Sequence, residues 1–227
     1  MSKYFKSLVV LVFGISLIFC FGSHTQKKQE ENYYPYWHQR ATLFRILPDT
    51  ENEIIFLGDS ITDGCNWSEM LHDLRVKNRG ISGDVTEGVI ERLDEVVESH
   101  PLKVFLMIGI NDLADGKTTD YIVNNIKRIV KTIQKKSPDT KIYLESLLPV
   151  NPDFDMFESY TNKRAEVISI NKSLKKISKV YGITYVDLYS LFETEDNKLN
   201  PEYTNDGLHL KGAGYLVWKS VIEDYIK

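Results

Sequence analysis

Apolar runs that do not alternate constrain this chain more than any other feature. Ile54-Ile55-Phe56-Leu57 runs straight into Gly58-Asp59-Ser60, and residues 103–110 (KVFLMIGI) and 141–148 repeat the design. A strand with one wet face alternates apolar and polar residues. A continuous run of this length, stopped by glycine or proline, reads as a strand buried on both faces. Weaker strand signals lie at residues 76–80 and 183–188. Between them the period changes. Val85, Val89, Leu93, Val96 and Val97 predict a helix over residues 85–99, and Ile122, Ile126, Ile129, Val130 and Ile133 predict one over 118–136. Further helices are expected over 66–73, 160–181 (ended by Gly182) and 212–226. Asp84, with Glu87 three residues on, suits an N-cap and capping box. Five strands alternating with helices predict an α/β fold: a five-stranded parallel sheet inside a three-layer α/β/α sandwich.

The 227 residues fit one domain able to bury a core of its own. The first residues differ from the rest. Lys3 and Lys6 precede an uncharged apolar run over residues 8–21, the arrangement of a signal peptide. The run is short for a membrane span, which needs about 20 apolar residues. Small residues around Cys20-Phe21-Gly22 set the expected cleavage after Gly22, so residues 1–22 read as a signal peptide. Acylation of Cys20, against which bulky Phe19 stands, and an uncleaved N-terminal anchor are the two alternatives. All three expect an exported protein whose membrane contact, if any, runs through this segment. Residues 23–32 are polar and aperiodic, a tether, and residues 33–227 form the domain.

Only Cys20 and Cys65 are present, so loss of Cys20 leaves no intrachain disulfide. Cys65, close behind Ser60, reads as a small packing residue rather than a reactive thiol. No Cys/His cluster has zinc spacing. A net charge of −4 without a basic stripe argues against nucleic acid as a partner. Nothing in the sequence sets an oligomeric state. The aromatic cluster Tyr33-Tyr34-Pro35-Tyr36-Trp37-His38 leads into a helix expected over 39–47. Such clusters bind sugars or cover a core edge, and here covering is favoured.

A serine at the carboxyl end of a buried parallel strand sits where open α/β sheets place their ligand sites. Ser60 is therefore a candidate nucleophile, and it needs a base. Of five histidines, His209 alone lies in an acid-bearing loop, Asn205-Asp206-Gly207-Leu208-His209. Asp206, three residues earlier, can reach the imidazole in a tight turn and fix its tautomer. Both also suit turn and helix-cap roles. An oxyanion needs preorganised donors. The Ser60 backbone N–H, the Gly83 N–H and the Asn111 side-chain amide are candidates, although Gly83 and Asn111 are also ordinary turn residues.

In order and spacing, Gly58-Asp59-Ser60, Ile81-Ser82-Gly83-Asp84, Gly109-Ile110-Asn111-Asp112 and Asp206-Gly207-Leu208-His209 resemble the four blocks of the GDSL-like, or SGNH, hydrolases. The resemblance runs from about Ile54 to the C-terminus. It implies a flavodoxin-like sandwich and an esterase or acylhydrolase acting without metal or other cofactor. Carried over, Ser60 is nucleophile, His209 base and Asp206 its orienting acid, with Ser60, Gly83 and Asn111 as oxyanion hole. Ile61 stands where the family name has leucine, a core-facing position. Asp59 and Asp112 read as loop-holding residues. The stretch Asn78 to Asp84 looks like the branch of acetylhydrolases related to the platelet-activating-factor type and to bacterial carbohydrate and sialate O-acetylesterases, which remove small acyl groups, and an exported location with an aromatic N-terminal segment suits a glycan substrate. Lysophospholipase or thioesterase activity fits the same machinery. A non-catalytic glycan-binding module would not need all five residues.

Overall fold

The computed structural model describes residues 33–227. The expected signal segment, the tether and Cys20 lie outside the described residues. Five strands, β1 (Ile54–Gly58), β2 (Val76–Gly80), β3 (Lys103–Met107), β4 (Lys141–Glu145) and β5 (Thr184–Val186), form one sheet in the order β2-β1-β3-β4-β5. Every pairing is parallel. Helices flank the sheet, so the expected α/β sandwich is the observed one. All five residues of β1 and of β3 are buried, as their unbroken apolar runs require.

Register explains the packing. Phe56 lies beside Phe105, and Phe105 beside Tyr143. Their rings stack at 4.7 and 4.5 Å, an aromatic ladder across three strands. Trp67 stacks on Phe56 at 4.3 Å and meets Trp218 of the last helix, Gly212–Ile226, edge-on at 4.8 Å. The helix Thr119–Lys136 buries Ile122, Ile126, Ile129, Val130 and Ile133 along one stripe, as the sequence period predicts.

Several boundaries differ from the sequence expectation. The helix expected over 85–99 is two short ones, Thr86–Glu91 and Leu93–Glu98, broken at Arg92. Asp84 is not the N-cap. That position is Val85, and it makes no side-chain cap. The Asp84 carboxylate is instead taken by Trp37 Nε1 (2.9 Å), Arg92 Nε (2.8 Å) and the Val85 N–H (3.0 Å). Strand β3 stops at Met107 because Gly109 turns the chain with φ 134° and Ile110 opens a helix, Ile110–Ala114. Strand β4 stops at Glu145, beside the end of β5. Beyond it the Asn171 amide takes over the backbone, accepting from the Leu147 N–H and donating to its carbonyl. The helix expected from Tyr160 starts at Arg164, after a separate turn, Glu158–Thr161. The first helix starts earlier than expected, at Pro35, whose fixed φ suits a first turn. It buries Trp37, Ala41 and Phe44 against Ile81. Trp37 thus covers a core edge, as favoured from the sequence, while Tyr34 and Tyr36 remain at the surface.

Candidate active site

Ser60 opens a single helical turn, Ser60–Asp63, directly after β1. Asp59 caps that turn by accepting the Ile61 N–H at 3.0 Å. Its carboxyl is fully enclosed, and burial pushes its pKa up to about 7. Asp59 and Asp112 are loop-holders, as expected: Asp112 accepts the N–H and hydroxyl of Thr86 at 2.9 and 2.5 Å. Ile61 is buried, and so is Cys65, whose thiol burial raises to about 12.

The fold brings residues 60 and 209 together across nearly the whole chain. Ser60 Oγ lies 3.1 Å from His209 Nε2. His209 Nδ1 lies 2.8 Å from Asp206 Oδ2. The loop holding them is built by Asp206 itself: its Oδ1 accepts the N–H groups of Leu208 (2.9 Å) and His209 (2.8 Å). Thr204 adds its hydroxyl, accepting the N–H of Gly207 at 3.0 Å. Burial raises the Asp206 pKa, but those two N–H groups and the histidine ring outweigh it and hold the carboxyl below its ordinary value. Asp206 is therefore an anion facing the imidazole.

Three strand ends meet at the same rim. Gly58 pairs with Gly80 on one side and Met107 on the other, so the loops that follow β2, β1 and β3 are neighbours. They carry Gly83, Ser60 and Asn111 respectively. Asn111 Nδ2 donates to the Asp84 carbonyl at 2.7 Å, which ties it to the residue after Gly83 and leaves its second N–H for a ligand. Among the described residues, no acceptor takes the N–H of Ser60 or of Gly83. Gly83 has φ +77°, a conformation that glycine adopts freely.

Sequence reasoning missed what holds the loop around Gly83. Buried Arg92 pairs with Asp84 and also donates to the Gly58 carbonyl at 3.2 Å. Burial raises the Asp84 pKa against the pull of Arg92. Asp63 receives the Ser82 hydroxyl (2.8 Å) and the Tyr36 phenol (3.0 Å), and Arg40 lies 3.8 Å away. The aromatic cluster was the visible signal for Trp37 and Tyr36, but not for their partners. On the other flank, the ring of Phe157 stands edge-on to His209 at 5.2 Å.

Residues 56–217 match the GDSL-like lipase/acylhydrolase family. The chain belongs to that family. It is 33% identical over 173 residues to the alpha1 subunit of platelet-activating factor acetylhydrolase IB from Bos taurus, covering 74% of this chain and 72% of that one. It is 28% identical over 209 residues to N-acylneuraminate cytidylyltransferase of Escherichia coli O18:K1:H7 (strain RS218 / NMEC), covering 89% of this chain but only 47% of that protein. This chain therefore spans about half the length of that relative. A GDSL-like lipase from Bacteroides thetaiotaomicron VPI-5482 superposes with a TM-score of 0.73 and 26% identity, covering 84% of this chain and 96% of that one. As a member of the GDSL-like family the protein is a hydrolase of carboxylic esters. Among the described residues no helix is long and apolar enough to cross a membrane.

Proposed function

We propose that this acylhydrolase is an exported serine esterase that removes small acyl groups, acetyl foremost, from O-acetylated carbohydrates or sialic acids. The observation that carries the mechanism is the continuous chain Ser60 Oγ, His209, Asp206, with contacts of 3.1 and 2.8 Å. Ser60 Oγ attacks the ester carbonyl while His209 Nε2 takes its proton. The Asp206 anion holds Nδ1–H and stabilises the imidazolium. The carbonyl electrons move onto oxygen, where the N–H groups of Ser60 and Gly83 and the Asn111 amide receive the charge. His209 returns the proton to the departing alcohol, leaving an acyl-Ser60. Water, deprotonated by His209, then releases the acid.

The substrate reading is supported by relatives: one is named for an acetylhydrolase activity and another for N-acylneuraminate. Export is supported by Lys3, Lys6 and the apolar run that follows. The test is a rate screen over O-acetylated sugars, O-acetyl sialic acids, lysolipids and p-nitrophenyl esters of rising chain length, with Ser60→Ala alongside. Acetyl release from a sugar or sialic acid, lost in Ser60→Ala with the fold retained, is the expected result. A preference for long-acyl esters makes the enzyme a lipid acylhydrolase, and full activity in Ser60→Ala removes the nucleophile assignment.

A further inference from the structure

The donor residue Gly83 is overhung by Tyr34. A Cβ placed on Gly83 would overlap the Tyr34 hydroxyl oxygen, so the phenol tip lies against the Gly83 α-carbon. That hydroxyl is unused: among the described residues it makes no hydrogen bond, and Tyr34 is 41% exposed. A polar tip at this place, half-buried and without a hydrogen-bond partner among the described residues, can meet a bound molecule.

Its position is clamped on both sides. Tyr36 and Arg40 hold Asp63, which holds Ser82, the residue before Gly83. Trp37 holds Asp84, the residue after it. Tyr33 stacks on Trp37 at 4.2 Å, and the Trp37 backbone N–H donates to the Tyr34 carbonyl at 3.1 Å. Pro35 stiffens the intervening backbone. The first helix therefore grips the oxyanion loop at residues 82 and 84 and sets Tyr34 down at 83. Burial, with the Asp84 carboxylate nearby, keeps the phenol pKa above its ordinary value, so the group stays protonated.

We propose that Tyr34 Oη is a further hydrogen-bond donor to the oxyanion formed when Ser60 attacks an ester. It comes from a segment that precedes the family-matched residues 56–217. In this step the Ser60 Oγ–carbon bond forms, the carbonyl π electrons pass to oxygen and the serine proton passes to His209. Tyr34 keeps its proton and shares the charge through a hydrogen bond. The inference rests on the oxyanion lying at Gly83 and Asn111, and not on which acyl group or alcohol is bound.

The experiment compares the full chain with Tyr34→Phe and Asn111→Ala on p-nitrophenyl acetate and butyrate. Rates are normalised to the fraction of Ser60 that a fluorophosphonate titrates, so a partly unfolded variant does not imitate the effect. Loss of one oxyanion donor typically lowers the rate about 100- to 1000-fold. A donor at the rim should lower kcat about 10-fold on both esters, with KM within about two-fold. Affinity for a boronic acid that mimics the tetrahedral adduct should fall by the same factor. A kcat within about two-fold of wild type in Tyr34→Phe, or a change confined to KM, overturns the proposal. If Asn111→Ala loses kcat while Tyr34→Phe does not, only the Tyr34 assignment fails. If neither loses kcat, the oxyanion placement itself fails.

Discussion

Asp206 grips His209 twice, once at the ring through Oδ2 and once at the backbone N–H through Oδ1, both at 2.8 Å. One carboxylate thus orients the imidazole and shapes the loop that carries it. The two jobs separate on substitution. Asp206→Asn keeps an oxygen acceptor for the backbone and loses the charge that supports the imidazolium. Its activity on p-nitrophenyl acetate should fall about 100-fold or more, with a thermal midpoint near wild type. Asp206→Ala should lose the loop hydrogen bonds as well and melt earlier. His209→Ala should lose the most activity, because no other side chain contacts Ser60 Oγ among the described residues. Circular dichroism melts beside kcat measurements check all three.

The Trp37–Asp84 hydrogen bond is buried, and Asp84 presents its carbonyl to Asn111. Trp37→Phe keeps a ring to stack on Tyr33 and removes the N–H. Unfolding in urea should show a loss of about 1.5–3 kcal/mol, the range for a hydrogen bond to a charged group. Steady-state kinetics should show a several-fold fall in kcat with little change in KM, because the loop that aims the oxyanion donors loosens. An unchanged kcat would detach the first helix from catalysis.

Glu145 is enclosed beneath the last helix and accepts Trp218 Nε1 at 2.7 Å. Burial raises its pKa to about 8. The folded state therefore binds a proton that the unfolded chain releases near pH 4–5. Stability from this group is full below that range and declines as pH rises toward 8. Glu145→Gln keeps the acceptor and removes the titration. Urea midpoints should rise in the variant relative to wild type between pH 5 and pH 8. The gain is on the order of a few kcal/mol at the upper end. A gap that stays constant with pH would show that Glu145 is not the group responsible.

Phe157 has φ 52°, a left-handed conformation that is uncommon for a bulky residue, and its ring edges His209. Phe157→Gly should relieve about 1–2 kcal/mol of backbone strain, offset in part by the greater freedom of the unfolded glycine chain. It should also open the flank of the imidazole. The ratio of kcat/KM for p-nitrophenyl octanoate to that for acetate should rise in the variant. A fall in that ratio would make Phe157 a wall that long chains need.

The sheet is legible because each strand is written locally as a buried run before a turn, whereas Ser60, Asp206 and His209 stand out only through four blocks in order that resemble the GDSL-like family, since an acid three residues from a histidine suits a turn equally well. Five strands appeared within a few residues of their places. What stayed hidden depends on contacts distant in sequence. Arg92 breaks a helix that valine spacing had joined, and it is drawn to Asp84 and the Gly58 carbonyl. The Asp84 carboxylate looked like a helix cap because Glu87 stands at the right distance, but Trp37, 47 residues earlier, claims one of its oxygens. Strand β4 looked longer because Leu147 and Leu148 are apolar, while an asparagine on a helix 24 residues later takes the backbone of Leu147. Each miss is a polar group whose partner the local pattern does not name.

The described chain enters at Tyr33, one residue before Tyr34, which lies against Gly83, and within four residues of the grip on Asp63 and Asp84. A displacement of Tyr33 thus reaches the loop around Gly83 itself, not the far end of the sheet.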